Sequence, residues 1–132
     1  MSQENVEIVR RIYSEGLIDR DPKRLVDDFA TPDIEYVNPP EAVDPGIRRG
    51  RAQVNLALRR ARQSSPSYRH ELHELFDLGE TVVAAVSRHA GRPSSSETQE
   101  EAHTWTFRDG KVVRFERGGN LEAALEAAGL RE

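Results

Sequence analysis

The 132-residue chain has no cysteine, and no apolar run approaches the length of a membrane span. Without cysteine, disulfides, thiol nucleophiles and cysteine-ligated metals are all excluded. The longest uninterrupted apolar stretch covers only residues 82–86, whereas a transmembrane helix needs about 18 residues or more. The N-terminal sequence is polar and has no apolar segment of signal-peptide type. We therefore expect a cytoplasmic protein that does not act at a membrane.

The charge balance argues against a general nucleic-acid binder. Acidic residues number 23 and basic residues 19, which gives a net charge of -4. One local basic cluster is either the solvated side of an amphipathic helix or a docking patch for an anion or acidic partner. This basic cluster comprises Arg48, Arg49, Arg51, Arg59, Arg60 and Arg62.

No glycine-rich phosphate loop and no serine nucleophile elbow is present, and we expect no cofactor.

Hydrophobic periodicity divides the chain into a helical first part and a β-rich second part. The length indicates one domain over residues 1–132. The 3.6-residue period predicts three helices, over 2–17, from Pro22 to Phe29, and around 54–61. Between the second and third helices we expect a short strand at 34–38 and a Pro/Gly-rich loop at 39–50. From residue 68 the period is two, which predicts strands near 68–76, 80–90, 97–108 and 111–118, before a short last helix. This order is typical of an α+β fold with the helices on one face of a curved sheet.

Two histidines stand in the segment His70-Glu-Leu-His73, which looks like a zinc-protease motif but has the wrong spacing. That motif needs histidines four apart on a helix, so that both reach one metal ion. Here the histidines are three apart in a predicted strand, where they face opposite sides. We expect no metal site.

The last predicted hairpin, "EAHTWTFRDGKVVRFERGGN", combines polar and aromatic residues on one face. Strand alternation puts Glu101, His103, Trp105 and Phe107 on one side, and Val113, Phe115 and Arg117 on one side of the partner strand. The large aromatics should face the helices, and the ionisable residues should face inward with them. Buried ionisable groups are costly unless paired. They either line a polar cavity or, at the sheet rim, Glu101 and Arg117 form a simple ion pair.

Residues from another strand, from the short strand at 34–38 and from the helices are further candidates for lining the same interior. The strand at 80–90 places either Ser87 and His89 or Val86 and Arg88 on the inner face, and its alternation allows both. Tyr36 and Asn38 share a face of their strand, and Phe29 and Tyr13 from the helices could close a pocket over the sheet.

The segments "SQENVEIVRRIYSEGLIDRDPKRLVDDFATPDIEY" and "HTWTFRDGKVVRFERGGNLEAALEAAGL", with the order of elements between them, carry a family resemblance. The chain resembles the SnoaL-like branch of the nuclear-transport-factor-like cone folds, which includes ketosteroid isomerase, scytalone dehydratase, limonene epoxide hydrolase and SnoaL-type polyketide cyclases. The resemblance implies a cone-shaped, mostly antiparallel sheet wrapped around three N-terminal helices, with a short C-terminal helix. It also implies a homodimer through the outer sheet face, which carries Thr104 and Thr106.

The resemblance to individual activities is partial. "EYVN" is similar to the Tyr-x-Asn segment with which limonene epoxide hydrolases hold the attacking water, which would give that role to Tyr36 and Asn38. The aspartates of those enzymes and the catalytic aspartate of the cyclases have no counterpart here. Where relatives carry an acid at the end of the last strand, this sequence has Arg117-Gly118-Gly119.

Two functional hypotheses follow. One is a cofactor-free acid–base enzyme of the isomerase, cyclase or hydratase type, acting on an apolar, oxygenated molecule such as a steroid- or polyketide-like compound. His103 would be its general acid or base, Glu101 would orient it, and Tyr36 or Arg117 would stabilise an oxyanion. The alternative is a non-catalytic module that binds a small acidic or hydroxylated ligand. In either case the expected ligand-binding residues are Arg117, Trp105, Asn38, His89, Phe29, Tyr13 and Phe115.

Overall fold

The computed structural model describes residues 2–40, 45–64, 69–89 and 98–130. These residues form five α-helices and six strands, and a π-helical segment, Glu126–Leu130, continues the last helix. The helices are α1 (Ser2–Ser14), α2 (Leu17–Arg20), α3 (Pro22–Asp28), α4 (Arg51–Ser64) and α5 (Leu121–Leu125). The strands are β1 (Ala30–Asn38), β2 (Gly46–Arg49), β3 (Arg69–Asp77), β4 (Thr81–His89), β5 (Thr98–Arg108) and β6 (Lys111–Gly118).

The first predicted helix is in fact two helices, because the chain turns sharply at Gly16. This glycine has a φ of 64°, a left-handed conformation that residues with a side chain rarely adopt. The next helix starts as predicted: the Asp21 side chain accepts a hydrogen bond from the backbone N–H of Arg24, and Pro22 occupies the first turn. The break at Gly16 gives the four-residue helix α2 its own direction, and α2 brings Asp19 into the interior described below.

The six strands form one curved, unclosed sheet in the order β2-β1-β6-β5-β4-β3. All neighbours are antiparallel except β1 and β6, which run parallel. The prediction of a loop over 39–50 was wrong at its C-terminal end, where β2 pairs with β1 and Ile47 lies opposite Val37. This segment is a strand because its backbone pairs with β1. Its Pro/Gly-rich composition gives no sign of that pairing. Residues 41–44 of the predicted loop lie outside the described residues.

The helices cover one face of the sheet, and the apolar core lies between them. The inner face of β4 carries Val82, Ala84 and Val86, each of them fully buried. Helices α1 to α4 contribute two buried core residues each, namely Val9 and Ile12, Leu17 and Ile18, Leu25 and Val26, and Val54 and Leu58. The predicted cone-shaped α+β architecture is confirmed.

A bulge shifts one strand of the last hairpin. The predicted turn at Asp109-Gly110 has positive φ at both residues, 53° and 80°. Because the pairing shifts between Thr106 and Phe107, Val112 enters the core beside Phe107, whereas the expected alternation placed Val113 there. Beyond the bulge the alternation is as predicted, and Phe115 and Arg117 face inward.

In the part of the chain that the structure describes, no helix combines the length and the apolar character that a membrane crossing requires.

Candidate active site

A polar cluster lies within the apolar core, on the inner face of β5 and β6. His103 and Trp105 are both completely buried there, and Arg117 lies opposite His103 in the register of the two strands. The predicted inward orientation of Glu101, His103 and Arg117 is therefore confirmed. The cluster has two parts, a proton relay of Trp105, Tyr13, His103 and Glu101, and a cationic arm around Arg117.

In the proton relay, each donor meets one acceptor. Trp105 Nε1–H donates to the Tyr13 hydroxyl at 3.0 Å, and the Tyr13 hydroxyl lies 2.5 Å from His103 Nδ1. His103 Nε2 lies 2.8 Å from Glu101 Oε1. Because a carboxylate only accepts, His103 carries its proton on Nε2, and Nδ1 must accept the proton of the Tyr13 hydroxyl. The hydrogen bonds thus define a single direction from Trp105 to Glu101.

Arg117 joins this relay to the rest of the interior. Its Nη2 group donates to Glu101 Oε1 at 3.1 Å, and its Nη1 group donates to the Tyr36 hydroxyl at 3.1 Å. Nη2 also donates to His70 Nε2 at 3.2 Å. The ion pair between Glu101 and Arg117, one of the two alternatives that the sequence left open, is present. It does not stand alone at the rim, because it is part of a network that continues to buried His103.

His70 is in turn held by a second carboxylate. Its Nδ1 lies 2.8 Å from Asp19 Oδ1, and its backbone N–H donates to Asp19 Oδ2 at 3.0 Å. The imidazole therefore carries its proton on Nδ1, which leaves Nε2 free to accept from Arg117. Neither residue was a candidate for the site from the sequence. Strand alternation with buried Leu72 could have placed His70 inside, whereas nothing in the sequence indicates the contact with Asp19.

Burial and pairing shift the pKa values of the cluster. Burial lowers the pKa of His103 to about 4, although the hydrogen bond to Glu101 acts in the opposite direction. Burial also opposes ionisation of Glu101, but the hydrogen bond from His103 and the charge of Arg117 outweigh it and hold the pKa of Glu101 well below its usual range. Burial raises the pKa of the Tyr13 hydroxyl. At neutral pH the cluster thus contains a neutral imidazole, a carboxylate and a protonated phenol.

Aromatic rings surround the polar cluster. Trp105 and Phe115 stack with their ring centroids 4.0 Å apart, and Phe115 and Tyr36 stack at 5.3 Å. Access differs along the network: the side chain of His103 is 0% exposed, those of Glu101 and Arg117 are 9% and 14% exposed, and Tyr13 is half-buried. Tyr13 and the ion pair are therefore the partly exposed members of the network, whereas the His103 side chain has no exposed surface.

The inner face of β4 is now assigned. It carries Val86 and Arg88, and the Arg88 Nε lies 3.4 Å from Glu101 Oε2. The expectation that His89 lines the interior was wrong, because His89 projects from the other face, where its Nε2 lies 2.8 Å from Glu71 Oε1. Strand alternation forces this outcome, since Arg88 and His89 are neighbours.

The last two candidates from the sequence are Phe29 and Asn38. Phe29 packs in the core near the start of β6, where its carbonyl accepts from the Val112 N–H, and the Arg11 guanidinium lies 5.2 Å from its ring. Arg117 is near the opposite end of β6. Asn38 ends β1 opposite Gly46 and is half-buried. The structure therefore joins Tyr13, Tyr36, Glu101, His103, Trp105, Phe115 and Arg117 in one site, and leaves Phe29 and His89 outside it.

Among the described residues, His70, Glu101 and His103 have the types and spacing of metal ligands, with one ligand atom of each within 4.8 Å of the others. However, the Arg117 guanidinium donates to both Glu101 and His70. A metal ion would have to displace this cation. The arrangement therefore favours an internal ion pair over a metal centre.

Comparisons with known structures agree with this architecture. TerC, crystallised with polyporic acid, superposes with a TM-score of 0.73 and 26% identity over 95% of this chain and 98% of that one. An NTF2-like protein of unknown function from Burkholderia pseudomallei gives 0.72 and 24%, over 96% and 98% of the two chains. A candidate SnoaL-like polyketide cyclase from Jannaschia gives 0.71 and 18%, over 98% and 94%. No curated protein matches the chain.

The sequence itself identifies the family. The SnoaL-like domain model matches residues 9–115, which extend from α1 to the centre of β6 and include all four residues of the proton relay. The chain therefore belongs to the SnoaL-like domain family.

Proposed function

We propose that this protein is a cofactor-free enzyme that moves a proton within an apolar, oxygenated small molecule, with Tyr13 as the group that contacts the substrate. The observation that carries the proposal is the directed relay from Tyr13 through His103 to Glu101. A buried imidazole held between a hydroxyl and a carboxylate is the arrangement by which proteins prepare a hydroxyl for proton transfer. His103 keeps an acid–base role, but it acts through Tyr13, because its own ring is completely buried.

The proton balance follows from the hydrogen bonds. The Tyr13 oxygen accepts one bond from Trp105 and donates its own proton to His103 Nδ1, so an acceptor site remains for a substrate proton. When that proton arrives, the original Tyr13 proton passes to His103. The resulting imidazolium lies against the Glu101 carboxylate, 2.8 Å away. The reverse transfer delivers a proton to a different atom of the substrate.

The pKa shifts mean that a proton passed to His103 stays there only briefly. Since burial lowers the pKa of His103 to about 4, the imidazolium is a strong acid and returns its proton quickly. The raised pKa of Tyr13 excludes a stable phenolate as the base. Isomerisation, cyclisation and dehydration all take a proton from one atom and return one to another. These are the reaction types to which the relay is suited.

The surroundings support a ring-shaped, carbonyl-containing substrate. The stacked rings of Trp105, Phe115 and Tyr36 form an apolar wall, and Arg117 supplies the positive charge that would stabilise an oxyanion. Among the structural neighbours, TerC was crystallised with polyporic acid, and the Jannaschia protein is a candidate polyketide cyclase. These neighbours support the substrate class by similarity.

Deuterium exchange into an enolisable ketone tests the proposal. In D₂O, wild-type protein should accelerate incorporation of deuterium into 2-tetralone, followed by NMR. Tyr13→Phe should lower the rate by about a hundredfold, since it removes the hydroxyl through which the proton passes. Glu71→Gln changes a carboxylate that pairs with a histidine on the outer face and should keep the wild-type rate. Equal rates for wild type and Tyr13→Phe would refute the role of Tyr13.

A second candidate, a non-catalytic binding module, is supported by Arg117, an inward-facing cation whose side chain is 14% exposed. Such a module would bind an organic acid, and isothermal titration with polyporic acid would show affinity that Arg117→Ala reduces. Binding without any exchange activity on 2-tetralone or related ketones would favour this candidate over the enzyme. Equal affinity of wild type and Arg117→Ala would exclude the anion contact.

A further inference from the structure

Asp19 and His70 do not belong to the proton relay, yet they determine which groups the Arg117 guanidinium can contact. We propose that Asp19 is a positioning residue: by fixing the tautomer of His70, it holds Arg117, and through Arg117 the carboxylate of Glu101, in place for catalysis. The effect on catalysis rests on the proposed function, whereas the tautomer is a property of the resting protein.

Two hydrogen bonds join His70 to the carboxylate of Asp19. Asp19 accepts from the His70 ring at 2.8 Å and from the His70 backbone N–H at 3.0 Å. The His70 side chain is 6% exposed. A carboxylate held at two points beside a buried ring leaves the ring no freedom to exchange its Nδ1 proton for a lone pair. The His70 ring could rotate by a half turn only if the Asp19 carboxylate moved away.

The consequence lies on the other side of the ring. With its proton on Nδ1, His70 presents a lone pair at Nε2, and Arg117 Nη2 donates to it at 3.2 Å. In the other tautomer an N–H would face the guanidinium, and two donors would meet at that distance. Arg117 would then lose one acceptor and would shift away from His70. Since the same Nη2 group donates to Glu101 at 3.1 Å, the carboxylate would lose its present position beside His103.

The interior thus contains two carboxylate–histidine pairs of opposite tautomer. Asp19 accepts a hydrogen bond from the Nδ1–H group of His70, and Glu101 accepts one from the Nε2–H group of His103. Arg117 lies between them, because it donates both to His70 and to Glu101. His103 also packs edge-on against His70, with ring centroids 5.4 Å apart. A change in either tautomer therefore reaches the other pair through Arg117.

The position of Asp19 is itself secured from the neighbouring helix. Arg62, in α4, donates from Nη1 to the backbone carbonyl of Asp19 at 2.5 Å. This bond fixes the short helix α2 against α4, at the place where Asp19 meets His70. The hydrogen bond from Arg62 therefore helps to keep Asp19 beside His70.

Nitrogen-15 NMR of the imidazoles tests the inference in the wild-type protein. Long-range ¹H–¹⁵N spectra should show His70 as the Nδ1–H tautomer and His103 as the Nε2–H tautomer. Finding His70 as the Nε2–H tautomer would overturn the proposal. This result does not depend on any activity, so it stands apart from the failure or success of the proposed function.

Asp19→Asn provides the second measurement. An amide can donate to His70 Nδ1, which would move the imidazole proton to Nε2, as a carboxylate-to-amide change does for other paired histidines. We expect the tautomer to change and the 2-tetralone exchange rate to fall by about tenfold to a hundredfold, the loss typical of one hydrogen bond to a charged group. The matched control is Glu71→Gln, which alters the outer-face pair with His89, also 2.8 Å apart. A slower exchange with an unchanged His70 tautomer would contradict the proposal.

Discussion

The hydroxyl of Tyr13 lies 2.5 Å from Nδ1 of His103, so the first helix and the fifth strand share a hydrogen bond inside the core. Their rings are also close to parallel, with centroids 5.9 Å apart at 20°. Trp105 contacts the same hydroxyl from the other side. Tyr13 is therefore held by two buried partners, while its own half-buried ring keeps a surface for a ligand. This combination supports the proposed role of Tyr13 as the group that contacts the substrate.

Acidification should destabilise the protein in a window set by His103. Its pKa falls from 6.5 to about 4 on folding, so the unfolded chain binds this proton first as the pH drops. Stability is therefore complete above pH 6.5 and is lost towards pH 4, by up to about 1.4 kcal/mol per pH unit. The lowered pKa of Glu101 adds a loss of the same sign below its ordinary value of 4.5.

Urea unfolding between pH 8 and pH 4.5 measures this dependence. His103→Gln should flatten the curve between pH 6.5 and pH 4.5. The control His73→Gln, on the outer face of β3, should keep the wild-type slope. An unchanged slope in His103→Gln would show that other groups cause the loss of stability at low pH.

Removal of Arg117 should cost far more stability than removal of an exposed arginine. Arg117→Ala leaves the Glu101 carboxylate buried without its main cation, a change that costs about 3–5 kcal/mol in comparable buried pairs. The matched control is Arg108, whose ion pair with Asp33 has a distance of 2.9 Å but is exposed. Arg108→Ala should cost at most about 1 kcal/mol. Similar free energies of unfolding for the two variants would contradict this account.

Replacement of Arg117 by an uncharged residue should also expose a latent metal site. In Arg117→Met the guanidinium no longer covers Glu101 and His70, and the atoms of His70, Glu101 and His103 lie close enough for one divalent ion. We expect Co²⁺ to give visible absorption bands and Zn²⁺ to raise the melting temperature of this variant, more strongly than in wild type. Adding His70→Gln should abolish both effects. Equal metal responses in wild type and Arg117→Met would rule out competition between metal and guanidinium.

We expect a homodimer through the outer sheet face, where Thr104 and Thr106 are half-buried and face away from the helices. Thr104→Arg places a charge at the centre of this face and should produce a monomer in light scattering after gel filtration. Arg59→Glu, on the exposed side of α4, should leave the mass unchanged. Loss of the dimer in Arg59→Glu alone would instead make the arginine cluster the interface.

Much of the site could be predicted from strand alternation. The period of two in β5 places Glu101, His103 and Trp105 on one face, and aromatic neighbours identify that face as the inner one. For β4 the same reasoning failed, because both of its faces are rich in small apolar residues. Only the pairing with β5 places Arg88 inside and His89 outside.

Contacts between distant segments could not be predicted. Asp19 meets His70, 51 positions away, because Gly16 redirects the chain and α4 holds α2 in place. Strand β2 likewise exists only through its pairing with β1. In both cases a local sequence compatible with a loop takes its structure from a partner that local patterns do not reveal.

The central place of β6 between β1 and β5 has a consequence for the order of folding. During synthesis, β3, β4 and β5 can pair as each emerges, and β1 can pair with β2. The two halves remain separate until β6, near the end of the chain, bridges them. Contacts of such long range form late and slowly. The candidate site, which needs Arg117 from β6, is therefore completed in the same step that completes the sheet.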